Sequence, residues 1–496
     1  MTTTTAIESG ATEVSPLARR VAETRKLSLA LAEPLSAEDQ VVQPMDDASP
    51  TKWHLAHTTW FFETFVLTPH LPGYRTPDAR FAYCFNSYYE AAGPRQPRPQ
   101  RGLMTRPAHD EVLAYRAHVD AGLEAMFARG IAGREPRVSA LIELGINHEQ
   151  QHQELILTDI LALFAAQPLR PAYRTAAGAW PVLRQAQDGG DGVQDGGGGS
   201  QDGGGGSQDG GGGAQDGGGG AQDGGGGAQD GGGGARDVGG GALDLGGGAL
   251  ADAVRWIEFA GGIRRIGHEG GSFYFDNERP RHEALLQDHR LASRLVTNAE
   301  WLEFMADGGY DTPAHWLSDG WSMVKAKGWV APGYWEGEPG AWRQMTLAGL
   351  APIEFAAPVS HVSYFEADAF ARWAGKRLPT EFEWEAAAAG QPVRGNLLAS
   401  GALRPMPAPA ITAADTCAQM FGDVWEWTQS AYSAYPGFRA GPGALGEYNG
   451  KFMSGQYVLR GASCVTPEGH SRATYRNFFY PHQRWQFTGL RLAEDA

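Results

Sequence analysis

Three histidines carry the chemistry that can be read from this chain: His57, in WHLAHTTWFFE, and His148 and His152, in HEQQHQE. The last two are four residues apart, so in a helix they project from one face. A third imidazole from a neighbouring helix completes one face of a non-haem metal site, with positions left open for ligands. His54 competes for the third place because it lies within one turn of His57, and spacing slightly favours His57. Buried imidazoles on an apolar stripe need partners for their ring nitrogens, and a shared metal ion is the economical one. HEQQH also coincides with the zinc-protease spacing HExxH, with Glu149 as the base. Against that reading stand aromatic flanks, a third histidine upstream, and no downstream glycine-containing extension.

Other residues could serve such a centre. Gln151, three residues after His148, faces roughly the same way and could hydrogen-bond a polar ligand, whereas Glu154 is expected behind the ligands or as a cap. Tyr88 and Tyr89 either anchor their loop or place a phenol by the metal as a donor of a proton or an electron. Arg95, Arg98, Arg101 and Arg106 recur at three to five residues, and a guanidinium fork beside a hydrophobic pocket suits a carboxylate-bearing ligand, solvated arginines being the alternative. Phe478 and Phe479 form an apolar pair in a turn segment that could reach a ligand. Trp384, Trp425 and Trp427 read as core anchors.

The elements that must position these groups begin with a helix from Pro16 to Leu31, capped by Ser15 with proline at its first position. The same device at Ser49-Pro50 opens a second helix carrying Trp53, His54, His57, Trp60 and Phe61. A third runs from Asp110 to Ala128, and a fourth from Pro136 to Phe164 holds His148 and His152 within a leucine and isoleucine stripe. Four helices with a long connection between the second and third indicate a bundle, a frequent home for metals. That connection, residues 70–108, is read as a functional loop. After residue 254 short apolar pieces alternate with Gly, Pro, Asn and Asp, and helices are expected only at Asn298–Ala306, Tyr364–Ala374 and Thr380–Ala389, within an irregular α+β domain.

Between the two lies a tract that cannot build a core. Residues 185–250 repeat Gln-Asp-Gly-Gly-Gly-Gly-Ser/Ala, contain 33 of the 69 glycines and hold −9 of the formal −16 charge, leaving the rest near −7. Its period and lack of packing apolar residues fit a flexible acidic spacer better than a calcium-binding repeat. The domains expected are therefore a metal-binding bundle at 15–175, the spacer at 185–250 and the mixed domain at 251–496. No basic stripe suits nucleic acid, no run approaches the roughly 20 apolar residues of a membrane span, and three scattered cysteines fit a reducing cytoplasm. The subunit count is left open.

Five segments, SPTKWHLAHTTWFFE, LIELGINHEQQHQE, RLPTEFEWE, GDVWEWT and YRNFFYPHQRWQFTGLRLA, closely resemble the EgtB family, the bacterial sulfoxide synthases of ergothioneine biosynthesis. The resemblance covers nearly all of the chain outside the spacer. It implies a DinB-like four-helix bundle fused to a domain like the formylglycine-generating enzyme, an irregular C-type-lectin-like fold. It further implies iron(II) held by His57, His148 and His152, which favours His57 over His54, with Gln151 by the imidazole substrate and Tyr88-Tyr89 near the iron. The implied reaction joins L-cysteine to the imidazole of hercynine with dioxygen as oxidant.

Substrate-binding roles are expected for Arg95, Arg98, Arg101, Phe478 and Phe479. Phe478-Phe479 and Gln483 stand where the mycobacterial branch, which uses γ-glutamylcysteine, resembles this chain but carries Trp-Asp and an arginine, so cysteine is the expected donor. A synthase coupling a selenium donor to hercynine is the nearest alternative; a metal-dependent thiol transferase with a ligand-recognition domain is the alternative of another class. Cys417 and Cys464 do not match the copper-binding cysteine pair of the formylglycine-generating relatives.

Overall fold

A computed structural model describes residues 15–174, 253–410, 416–441, 446 and 448–496. The repeat tract expected at 185–250 lies outside the described residues. Helix α1 (Pro16–Ala32) starts where Ser15 Oγ accepts from the Ala18 amide. Helix α2 (Thr51–Phe62) is buried at every position and continues through a π-helical turn, Glu63–Leu67. A helix buried on all sides runs through the middle of a core, and α2, half of whose buried residues are polar, packs on both α3 (His109–Ala128) and α4 (Pro136–Ala166).

Gly145 on α4 sets the spacing of this pair, because a Cβ there would stand 2.5 Å from Phe62 Cε1. The close approach lets imidazoles one turn further along α4 reach those of α2.

Ser49 does not cap α2, contrary to the expectation from its Ser-Pro pair; the cap residue is Pro50, with no side-chain cap bond. The Ser49 hydroxyl instead accepts from Arg101 Nη1 at 2.9 Å, and its amide donates to Asp159 Oδ2 at 2.7 Å. The connection at 70–108 is less irregular than expected, with a helix at Phe81–Phe85 and 3₁₀ turns at Glu90–Ala92 and Arg98–Leu103.

In the C-terminal domain, helices α5 (Asn298–Ala306), α7 (Tyr364–Trp373) and α8 (Glu381–Ala388) fall where sequence places them. Each is opened by a capping box in which Thr297, Ser363 or Thr380 accepts from the amide three residues on. Helix α6 (Ser318–Lys327) was not expected.

Among the described residues four small sheets complete the domain. The four-stranded one has the order Asn477–Phe479, Tyr457–Gly461, Trp425–Ala431, Thr488–Gly489. Phe478 and Phe479 thus belong to a strand paired with Val458 and Tyr457, not to a turn. Trp384, Trp425 and Trp427 are buried as expected. Bundle and C-terminal domain pack as one compact unit with a shared apolar core. Among the described residues no helix is long and apolar enough to cross a membrane.

Candidate metal centre

Helices α2 and α4 bring one ring nitrogen each of His57, His148 and His152 within 4.8 Å of one another. His57 Nε2 and His148 Nε2 are 3.1 Å apart. Two nitrogens bound to one ion at about 2.1 Å and at right angles would stand roughly 3 Å apart, so the spacing fits a shared metal.

The protonation pattern fits as well. His57 Nδ1 lies 2.5 Å from the Phe85 carbonyl, to which it donates, and this leaves Nε2 with its lone pair. Burial, reinforced for His57 and His152 by neighbouring imidazoles, pushes both well below the ordinary histidine value, and burial takes His148 down to about 3. All three rings are therefore neutral near pH 7, the state that ligates. Trp53 stacks on His57 at 4.5 Å between centroids, and Trp60 at 5.6 Å fixes the other side.

His54 points behind the cluster. Its Nδ1 is 2.8 Å from His152 Nδ1 and its Nε2 is 3.0 Å from Asp159 Oδ2. Glu149 is turned to the opposite side of α4, where it accepts from Arg116, from Arg25 Nη1 at 3.1 Å and from Ser28 Oγ at 2.6 Å. Burial would raise its pKa, but the two guanidinium groups outweigh this and hold the carboxyl below its usual range. A carboxylate so engaged cannot act as the base of a zinc protease.

A cavity of about 260 Å³ lies against the imidazoles, lined from both domains. Gln151 is in its wall, where Nε2 donates to Tyr475 OH at 2.8 Å and Oε1 accepts from Tyr448 OH. Tyr88 lines the cavity, while Tyr89 is fully buried behind it, the rings stacked at 4.6 Å and the hydroxyls 3.5 Å apart. Phe478 and Phe479 both face the cavity, Phe478 stacked on Tyr432 at 4.1 Å.

The arginines divide. Arg101 is buried in the cavity wall with its guanidinium 3.4 Å from the centre of the Trp53 ring, held by Ser49 and Ser87 hydroxyls. It pairs with no carboxylate among the described residues, and its Nε has no partner. Arg98 lines the cavity from its exposed side. Arg95 does not line it, since its guanidinium is spent on Glu90, and Arg106 donates to the Thr105 carbonyl at the surface.

Glu154 is the clamp between domains, accepting from Trp425 Nε1 and Ser463 Oγ at 2.7 Å and from Thr466 Oγ1 at 2.8 Å. Sequence reasoning missed Asp159, although it lies seven residues past His152 on the same helical face. It also missed Tyr448, Tyr475 and His470, for which the chain offers no local signal. Cys417 and Cys464 are free and buried, and burial raises both thiols.

Fold and site together define a class: a two-domain protein with a three-histidine metal site in a helical bundle, roofed by an irregular α+β domain. Residues 20–156 match the DinB superfamily, and residues 255–410 and 411–496 match the sulfatase-modifying factor enzyme 1-like domain. The chain is 31% identical over 298 residues to the inactive C-alpha-formylglycine-generating enzyme 2 of Bos taurus, covering 49% of this chain and 92% of that protein. Through its C-terminal half the chain belongs to the sulfatase-modifying factor family.

It is also 41% identical over 245 residues to the hercynine oxygenase of Mycolicibacterium smegmatis, covering 45% of this chain and 56% of that protein. The corresponding protein of Mycobacterium tuberculosis is 40% identical over 240 residues, 44% of this chain and 56% of that protein. The chain thus spans just over half the length of these relatives.

Proposed function

We propose that this protein is an iron(II)- and dioxygen-dependent synthase that joins a thiol to the imidazole of hercynine and delivers the product as a sulfoxide. The observation that carries the reading is the trio of neutral imidazoles from α2 and α4 beside a cavity whose buried Arg101 has no carboxylate partner. Similarity to proteins named hercynine oxygenase supports the substrate. His57, His148 and His152 would hold the iron, which supplies the site of dioxygen reduction.

The overall step balances without a further reductant. The hercynine C–H and the thiol S–H are replaced by a C–S bond, one oxygen atom ends on sulfur, and the other leaves as water with the two hydrogens.

The chain's own residues divide the remaining work. Arg101 and Arg98 receive a substrate carboxylate, because a guanidinium fork matches that group. Gln151, fixed by Tyr448 and Tyr475, faces the imidazole substrate as an amide of set orientation. Tyr88, at the cavity wall, is the phenol that delivers a proton, with Tyr89 behind it as the reserve donor.

L-Cysteine is the proposed thiol. Phe478 and Phe479 offer no charge to a longer donor, and Gln483 is engaged with Asp47 at 3.1 Å. The test is mass spectrometry of products from iron-loaded protein given hercynine with cysteine, γ-glutamylcysteine or a selenosugar, in air and without it. The cysteine sulfoxide adduct formed only in air is the expected result. Product formed without dioxygen contradicts the oxidative reading, and a selenium adduct as the main product moves the assignment to a selenoneine-type synthase.

A further inference from the structure

We propose that His54 and Asp159 are positioning residues that fix His152 for metal binding, and that Trp485 of the C-terminal domain holds the far end of this chain of contacts. The inference rests on the three-histidine metal site proposed above. A carboxylate only accepts, so the 3.0 Å contact between Asp159 Oδ2 and His54 Nε2 places the His54 proton on Nε2. With a single proton on the His54 ring, Nδ1 is an acceptor, and at 2.8 Å its partner is His152 Nδ1, which then donates. His152 is left with its lone pair on Nε2.

One acid thus decides the protonation of a ring two contacts away. Without Asp159, His54 can carry its proton on Nδ1 and donate toward His152, which then takes its own proton on Nε2. That tautomer cannot ligate through Nε2.

Asp159 is itself buried and held from two directions. The Ser49 amide donates to Oδ2 at 2.7 Å, and Trp485 Nε1 donates to Oδ1 at 3.0 Å. The first contact comes from the entry to α2 and the second from the other domain. Metal affinity therefore depends on how the C-terminal domain docks, although none of the three metal-site histidines comes from that domain.

The test uses the full chain. Iron(II) affinity is measured anaerobically by chelator competition, and the His152 tautomer is read by ¹⁵N NMR of the metal-free protein labelled at histidine. Removing a contact behind a metal ligand ordinarily weakens binding between about 10- and 100-fold, and His54→Phe is expected in that range with the His152 proton no longer confined to Nδ1. His54→Asn, whose amide oxygen reaches the place of Nδ1, is expected to recover most of the affinity. Trp485→Phe is expected to cost roughly 2- to 10-fold, being one contact further out.

Affinity within about 2-fold of the parent in both His54→Phe and Trp485→Phe, with His152 still protonated on Nδ1, overturns the inference. Failure of the parent itself to bind iron would count against the metal reading. The tautomer in metal-free protein distinguishes that failure from failure of the relay.

Discussion

The bundle and the C-terminal domain build one cavity by different means. Helices α2 and α4 contribute lone pairs, fixed by helical spacing and by stacking against Trp53 and Trp60. The C-terminal domain contributes phenols, indoles, phenyl rings, side-chain amides and the His470 imidazole from strands and turns. Groups that could hold a metal thus sit on helices, and groups of the C-terminal domain that shape the space beside it sit on strands and turns. On the function proposed above, metal binding falls to the bundle and substrate contact is shared between the two domains.

The division is broken most directly at the imidazoles. His148→Ala or His152→Ala is expected to abolish stoichiometric iron binding, a loss above about 100-fold; iron content of the purified variant measures it, and full occupancy in either would remove that residue from the ligand set.

Next in size is the seam. Glu154→Ala removes the carboxylate that accepts from three buried donors of the C-terminal domain, and a stability loss of about 3 kcal/mol is expected in denaturant unfolding. A loss below about 1 kcal/mol would mean the domains do not rely on this clamp.

Gly145→Ala forces Phe62 aside, for an expected cost of about 1–3 kcal/mol with weakened iron binding. A variant of unchanged stability and affinity would show that the α2–α4 distance is not critical.

Acid titration sharpens the comparison from the other side. His361, buried in the C-terminal domain, is held down to about 3 by burial. Its folded pKa lies below the unfolded value of 6.5, so its stability contribution is present above pH 6.5 and lost as pH falls toward 3. The slope is at most about 1.4 kcal/mol per pH unit, and His361→Phe should flatten the pH dependence by that amount. An unchanged pH profile in the variant would contradict the assignment.

Local signals made the bundle legible. The i, i+4 pair His148 and His152, the Ser15 cap and the apolar stripe of α4 are all short-range features. The Ser49-Pro50 pair looked like a second cap, but its hydroxyl serves Arg101 fifty-two residues away, a contact no local rule contains. Helix α6 was hidden by Gly320 in its first turn, tolerated because the Phe365 side chain packs within 2.9 Å of where its Cβ would be. Tyr448 and Tyr475 reach Gln151 across about 300 residues of chain, so only the folded structure brings them to the cavity.

The central claim is that His57, His148 and His152 hold one iron ion, with His54 behind them. A crystal structure of anaerobically iron-loaded protein tests it most directly. One iron bound by a nitrogen from each of these three rings at about 2.1 Å, and not by His54, is the predicted result. Iron bound elsewhere, or ligated by His54 in place of one of the three, would contradict it.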